Sequence, residues 1–278
     1  MLAGPACALL CYARSSLSPK GCNVTRIAIT RAVSPALADC ELTHLERQVI
    51  DVDLARQQHA AYQQALRDAG CEVLELQALN DFADSVFVED TAVVLDNVAV
   101  LTRPGAESRR GEVESMAAAL APFRECVRIE APATLDGGDV LRLGRVIHVG
   151  ASARSNADGI EQLRRLVAPF GYDVEAVPMH GCLHLKGAVT QVAHDLLLVN
   201  PAWVDASHFI GYQILSVDPD EPFAANAVWF GDRVLYSASF PRTAQLLRDA
   251  GIDVRLVDMS ETEKAEGAVT CCSVIFDA

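Results

Sequence analysis

The chain lacks any run of about 18 uninterrupted apolar residues, so no membrane-spanning helix is expected. It lacks a Cys-x-x-Cys pair with a matching second pair, which leaves a structural zinc site unsupported. Its nine cysteines are an odd, unclustered set among 278 residues, as expected of reduced thiols in a cytoplasmic protein. Positive charge is scarce: 23 Lys and Arg stand against 37 Asp and Glu, a net charge of −14. That balance argues against nucleic acid or an anionic membrane as partner and suits a small cationic ligand. No Pro/Gly/Ser-rich linker breaks residues 23–278, so a single domain is expected there. Residues 1–22 differ from the rest. Ala6 to Tyr12 is apolar but short, with no basic residue ahead of it and no cleavage signal after it. No signal peptide is expected here, and the segment reads as a disordered extension.

What is present is a core-forming composition, 51% hydrophobic, arranged in alternating strand-like and helix-like segments. Turn signals at Asp96-Asn97, Gly144-Arg145, Ala193-His194-Asp195 and Gly231-Asp232-Arg233 each join two short apolar strands. Helical spacing begins near residues 53, 109, 156, 202 and 243. The fourth of these, Ala202 to Tyr212, is the weakest. A strand–turn–strand–helix–strand unit therefore recurs about five times at roughly 40–55-residue intervals, the period of a repeat architecture closed on itself. A doubly wound parallel sheet competes, but the hairpins count against it. The last apolar run, Val269 to Phe276, reads as a buried strand interrupted by Cys271-Cys272, whose side chains would then point to opposite faces.

Three polar clusters carry chemistry. In Asp84-Ser85-Val86-Phe87-Val88-Glu89-Asp90 the apolar residues can anchor the loop and hold Asp84, Glu89 and Asp90 in place. Arg109 and Arg154 each precede a helix, where a cation opposes the helix dipole; arginine forks bind carboxylates bidentately. The third cluster joins Leu135-Asp136-Gly137-Gly138-Asp139, whose glycines allow close backbone approach, to His184, a candidate base among leucines.

These motifs, together with Arg103-Pro104-Gly105-Ala106-Glu107-Ser108-Arg109-Arg110, Arg154-Ser155-Asn156, Leu183-His184-Leu185-Lys186 and Thr270-Cys271-Cys272-Ser273-Val274, occur in one order over residues 24–277. In that set the chain resembles the dimethylarginine dimethylaminohydrolases of the guanidine-modifying superfamily. The resemblance implies an α/β fold, a five-bladed propeller of ββαβ units with its site in the central channel. It implies Cys271 as nucleophile, His184 as general acid/base and Asp136 as the acid beside it. Asp90, with Glu89 in the same segment, would hold the substrate guanidinium. Arg109 and Arg154 would bind the α-carboxylate, and Asp84, Leu42 and Ala265 the α-amino end.

The implied reaction is attack of the Cys271 thiolate on the guanidinium carbon, departure of an amine protonated by His184, and hydrolysis of the thiouronium to citrulline. No cofactor is needed and no metal is expected; zinc on Cys271 would inhibit. A homodimer is compatible with the sequence. Ala265 is small where many relatives carry Val or Ile, Glu266 replaces a frequent aspartate, and Glu41 is an insertion ahead of a lid-like segment, Leu42-Thr43-His44. Two alternatives stay open: an arginine deiminase-like hydrolase of unmethylated arginine, and a non-catalytic propeller that binds arginine derivatives.

Overall fold

A tight turn between two short apolar strands, then a helix, recurs along the chain. In the computed structural model, which describes residues 25–278, each recurrence becomes part of a separate three-stranded sheet. Residues 1–22, expected to be an extension, lie outside the described residues.

Strand β1 (Arg26–Arg31) runs parallel to β2 (Cys71–Leu76), with helix α1 (Val52–Asp68) between them in sequence. The second sheet is β3 (Ala92–Val94), β4 (Val98–Leu101) and β5 (Glu125–Arg128), crossing over through α2 (Val113–Leu120). The third is β6 (Val140–Leu143), β7 (Val146–Ala151) and β8 (Asp173–Pro178), crossing over through α3 (Ala157–Val167). A single helical turn, α4 (Leu185–Ala188), leads into β9 (Val189–Ala193), β10 (Leu196–Val199) and β11 (Gln213–Ser216). The fifth sheet is β12 (Ala227–Trp229), β13 (Arg233–Ser237) and β14 (Asp253–Val257), with α5 (Pro241–Asp249) as crossover. After α6 (Ser260–Glu263), strand β15 (Val274–Asp277) returns to pair antiparallel with β1, Ala28 opposite Ile275.

Every sheet thus has a central strand with one antiparallel and one parallel neighbour. Hairpins supply four of the antiparallel pairs, the return of β15 to β1 supplies the fifth, and the crossovers supply the parallel ones. The fold is mixed α/β. With no sheet wider than three strands, the doubly wound alternative is excluded.

Local chemistry sets the element ends. Asp51 caps α1 by accepting from the backbone N–H of Asp53 and Leu54, and Asn156 caps α3 through Gly159 N–H. Gly70 ends α1 at φ +90°, a conformation that costs a side chain about 1–2 kcal/mol. Helix α1 buries Ala55, His59, Tyr62 and Leu66 as one stripe. Its Tyr62 hydroxyl donates to Val269 O at 2.7 Å and lies 2.7 Å from Ser273 Oγ, tying the helix to the turn that carries the cysteines.

Two elements differ from expectation. The helix expected over 202–212 is only a 3₁₀ turn, Ala206–His208. Trp203 and Val204 N–H turn back onto Asn200 O, Asp205 captures Ser207 N–H, and Gly211 takes φ +91°, so no α-helical ladder starts. The final strand begins at Val274, not Val269. Cys271 N–H donates to Ala268 O and Ser273 N–H to Thr270 O, which are turn bonds, so the cysteines sit in a turn and strand alternation does not apply to them. The turn still separates them: Cys272 is fully buried in the apolar cluster with Tyr62 and Leu66, while Cys271 faces cavities.

Candidate active site

The loop between β2 and β3 turns through Val86, Phe87 and Val88, all buried, which leaves its acids fixed rather than solvated. Asp90 accepts from Arg109 Nη1 at 2.5 Å and from Gly138 N–H at 2.9 Å. Burial alone would raise its pKa. The His184 and Arg109 charges and these hydrogen bonds outweigh it and bring Asp90 down to about 2. Glu89 accepts from Lys186 Nζ at 2.5 Å and Thr270 Oγ1 at 2.7 Å; burial still holds its pKa above the usual value. Asp84 accepts Glu41 N–H, and burial likewise lifts it against the pull of Arg109.

His184 immediately precedes α4, its Nε2 3.0 Å from Asp136 Oδ2 and its Nδ1 3.8 Å from Asp90 Oδ1. Asp136 is fully buried and also accepts Gly105 N–H. Desolvation would lower the imidazole pKa, but Asp90, Asp136 and Asp139 together carry it up to about 9. The glycine pair was read as giving close backbone approach to a ligand. In the structure the approach is to the machinery itself. A Cβ on Gly138 would lie 2.6 Å from His184 Nδ1 and 2.7 Å from Asp90 Oδ1, and one on Gly137 would lie 2.0 Å from Glu89 O.

Cys271 O accepts Glu89 N–H at 3.1 Å, which joins the cysteine turn to the acidic loop. Its thiol pKa lies well above the ordinary value, first from burial, then from the fields of Glu89 and Asp90. Glu266 follows Ala265 in the preceding loop at φ +57°. Its carboxylate accepts the backbone N–H of Thr43, His44 and Leu45, which ties the lid-like segment to this loop.

Two cavities meet at Cys271 and His184. One is polar and small, about 20 Å³, lined by Asp84, Asp90, Arg109, Arg154, Ala265 and Glu41 among others. The other is about 240 Å³ and mostly apolar. The structure therefore brings Asp84, Asp90, Arg109, Arg154, His184, Ala265 and Cys271 to one place, with Asp136 directly behind His184 and Glu89 on the wall of the larger cavity. Leu42 lines neither; it packs on the apolar cluster that contains Ala265, while Glu41, His44 and Leu45 around it do the lining.

Arg109, expected in a carboxylate clamp, uses most of its donors inside the protein. Its guanidinium donates to Asp90, to both Glu112 oxygens and to the carbonyls of Asp84 and Phe87, all buried. Of its five donors only one Nη1 hydrogen is left over. Arg154 is the freer arginine, 3.4 Å from Thr43 Oγ1 and 3.8 Å from Glu41 Oε2.

Sequence reasoning passed over Lys186, Asn226, Thr270 and Asp139. Asn226 binds Thr270 through both its amide atoms and donates to Lys186 O, completing the set around Glu89. Asp139, fully buried, accepts from Ser152, Ser155 and Leu185 N–H, and burial raises it to about 6. The glycine motif carried its signal: an acid closing an Asp-Gly-Gly-Asp run is seldom idle. Among the described residues, Asp90, Asp136 and His184 form the one group whose ligand atoms could hold a metal ion, all within 4.8 Å of one another. Cys271, where inhibitory zinc was expected, is not in that group.

Comparison with known proteins identifies the arrangement. Residues 40–207 match the family model described as N,N dimethylarginine dimethylhydrolase, eukaryotic. The chain is 45% identical to the N(G),N(G)-dimethylarginine dimethylaminohydrolase of Streptomyces coelicolor, over 89% of this chain and 95% of that protein. It is 36% identical to the enzyme of that name from Pseudomonas aeruginosa, over 81% of this chain and 90% of that one. A solved structure of the Pseudomonas enzyme complexed with citrulline superposes with a TM-score of 0.87 at 34% identity, covering 91% of this chain and 100% of that one. With the acidic loop, the His184–Asp136 pair and the Cys271 turn assembled in one cleft, the chain belongs to the dimethylarginine dimethylaminohydrolase family.

Proposed function

We propose that this protein hydrolyses Nω-methylated L-arginine to L-citrulline and a methylamine, with Cys271 as nucleophile and His184 as proton carrier. The observation that carries the reading is the convergence of Cys271, His184 and Asp90 where a polar cavity meets an apolar one. Asp90, ionised at any ordinary pH, opposes the guanidinium and places its carbon at the thiol. In the free site burial, and then the charges of Glu89 and Asp90, hold Cys271 as a thiol. A bound guanidinium cation, and the charge already on His184, reverse that field and favour the thiolate.

Thiolate attack forms the S–C bond and a tetrahedral adduct. The C–N bond to the methylated nitrogen then breaks, and His184 gives the departing amine its proton. Water, deprotonated by His184, adds to the thiouronium carbon, and the S–C bond breaks to leave citrulline and free Cys271. Asp136, hydrogen-bonded to Nε2, would hold the imidazole with Nδ1 toward the reaction. Arg154 and the remaining Arg109 donor would take the α-carboxylate, and Asp84 with the carbonyls around Leu42 and Ala265 the α-amino group.

We further infer that residues 23–278 form a single domain whose five sheets are blades around a channel. Support comes from β15 pairing with β1, and from Glu89 and Lys186, which line both the apolar cavity and a second cavity of about 340 Å³. The six free cysteines among the described residues, and a mechanism that needs a thiol, favour a reducing cytoplasm. No described helix is long and apolar enough to cross a membrane. Whether two copies associate is a question for sedimentation, with a homodimer the expected form.

The test is a product assay on asymmetric dimethylarginine, monomethylarginine and arginine. Dimethylamine and citrulline from the first are expected, with little ammonia from the last. Cys271→Ser should abolish turnover while Cys272→Ser keeps most of it. Equal loss in both variants, or ammonia as the main product, would sink the assignment.

A further inference from the structure

The apolar cavity is far larger than two methyl groups require. Its volume of about 240 Å³ exceeds the roughly 150 Å³ that suffices for an apolar cavity to take up benzene. It shares Cys271, His184, Leu183 and Glu266 with the polar cavity, so both reach the thiol and the imidazole. With the amino-acid end directed toward Arg154 and Asp84, which line only the polar cavity, the substituent on the departing nitrogen faces the apolar one. Its apolar lining includes Cys182, Leu183, Trp203, Phe223, Phe240 and Val269, with Glu89, Lys186 and Glu263 among its charged residues.

This wall is built into the fold. Trp203 and Phe223 stand edge to face with centroids 5.0 Å apart. Buried Asn200 fixes both loops: its carbonyl takes Trp203 N–H at 3.1 Å and its Nδ2 donates to Pro222 O at 2.8 Å. Gly181, at φ +76°, lets the Trp203 indole lie against bare backbone, where a Cβ would meet the ring at 2.6 Å. Phe223 nevertheless keeps 43% of its surface exposed, one of the few large apolar side chains so open among the described residues.

We propose that this aromatic chamber is a leaving-group subsite, and that the enzyme acts on Nω-substituted L-arginines with bulky apolar substituents of benzyl size, releasing the corresponding amine. This rests on the hydrolase reading above and extends its substrate class. The balance is the same: the Cζ–Nω bond breaks, one water is consumed, citrulline forms, and the aralkylamine leaves carrying the proton from His184. An aryl group would stack against Trp203 and Phe223, a contact that neither methyl group can make.

The experiment measures citrulline and released amine from asymmetric dimethylarginine and from Nω-benzyl-L-arginine, with the wild-type chain and the Phe223→Ala and Trp203→Leu variants. Benzylamine release with a kcat/KM within about tenfold of the dimethylarginine value is expected. In each variant the benzyl-to-dimethyl ratio of kcat/KM should fall about three- to tenfold, the scale of one lost aromatic contact. Hydrolysis of dimethylarginine without any of benzylarginine would overturn the subsite and leave the hydrolase reading intact, as would equal loss on both substrates in both variants. No citrulline from either substrate would remove the hydrolase reading and the subsite with it.

Discussion

At the scale of single residues, the two arginines separate. Arg109 neutralises Asp90 and Glu112 inside the protein; removing it strands two buried carboxylates, a loss of about 3–5 kcal/mol. Arg109→Ala is therefore expected to lower melting temperature and kcat together. Arg154→Ala touches no such pair and should raise KM about 10- to 100-fold with kcat largely kept, the scale of a lost charged contact. Steady-state kinetics with thermal melts on both variants distinguishes them, and a pure KM effect in Arg109→Ala would restore it to the carboxylate clamp. The pH dependence follows from His184 and Cys271. In the free enzyme the imidazole is charged up to about pH 9 and the thiol is neutral beyond it. The reactive thiolate–imidazolium pair is one proton short of that state. So kcat/KM should climb about tenfold per pH unit through neutrality and turn over near the His184 value. The same residue acts on stability in the opposite sense. Its folded pKa is raised from 6.5 to about 9, so its contribution is complete below pH 6.5 and is lost as pH rises through about 9. A kcat/KM that is flat between pH 6 and 8 would contradict this ordering.

At the scale of elements, the glycine pair shows what local constraint does for chemistry. A Gly138→Ala methyl would have to displace His184 or Asp90, and misplacement by about 1 Å can cost 100-fold in rate. A kcat loss of that order is expected, with far-UV circular dichroism unchanged; near-normal kcat would show that the loop yields. The motif Asp136-Gly137-Gly138-Asp139 was legible because glycines and acids are scarce together in apolar surroundings, but its use was not. Which neighbour comes close to a glycine depends on contacts dozens of residues away, here Asp90 and His184. The hairpins and the four crossover helices could be read from turn residues and periodicity. The crossover after β10 could not, because Asn200, Asp205 and Gly211 satisfy its backbone with turns while its hydrophobicity still looks helical. Likewise Val269 to Phe276 has strand composition throughout, yet its first half is spent on the turn that points Cys271 into the cleft. Lys186 and Asn226 left no sequence signal, since a buried ion pair to Glu89 is made only by tertiary approach.

At the scale of the whole molecule, the decisive contact is between the first and last described strands. Strand β15 supplies the antiparallel partner of β1, with Ile27 opposite Phe276 and Ala278 N–H bound to Thr25 O. It follows directly on the Cys271 turn, so the proposed nucleophile is anchored by the pairing of the last strand with the first. Val274 and Phe276 are both buried, in the cluster that holds Ile27, Ile29 and Met116. Truncating Phe276 to alanine should cost about 3–5 kcal/mol, a large part of the 5–15 kcal/mol typical of a folded chain. Removing residues 274–278 takes away both side chains and leaves β1 as a bare edge, open to pairing with another chain. The shortened protein is therefore expected to unfold or aggregate, whereas Phe276→Leu, which keeps most of the buried volume, should stay folded and turn over substrate. Urea midpoints and citrulline formation measured on the same preparations check this. Full activity in the shortened chain would mean that the Cys271 turn is held by Tyr62 and Glu89 alone, without the closing strand.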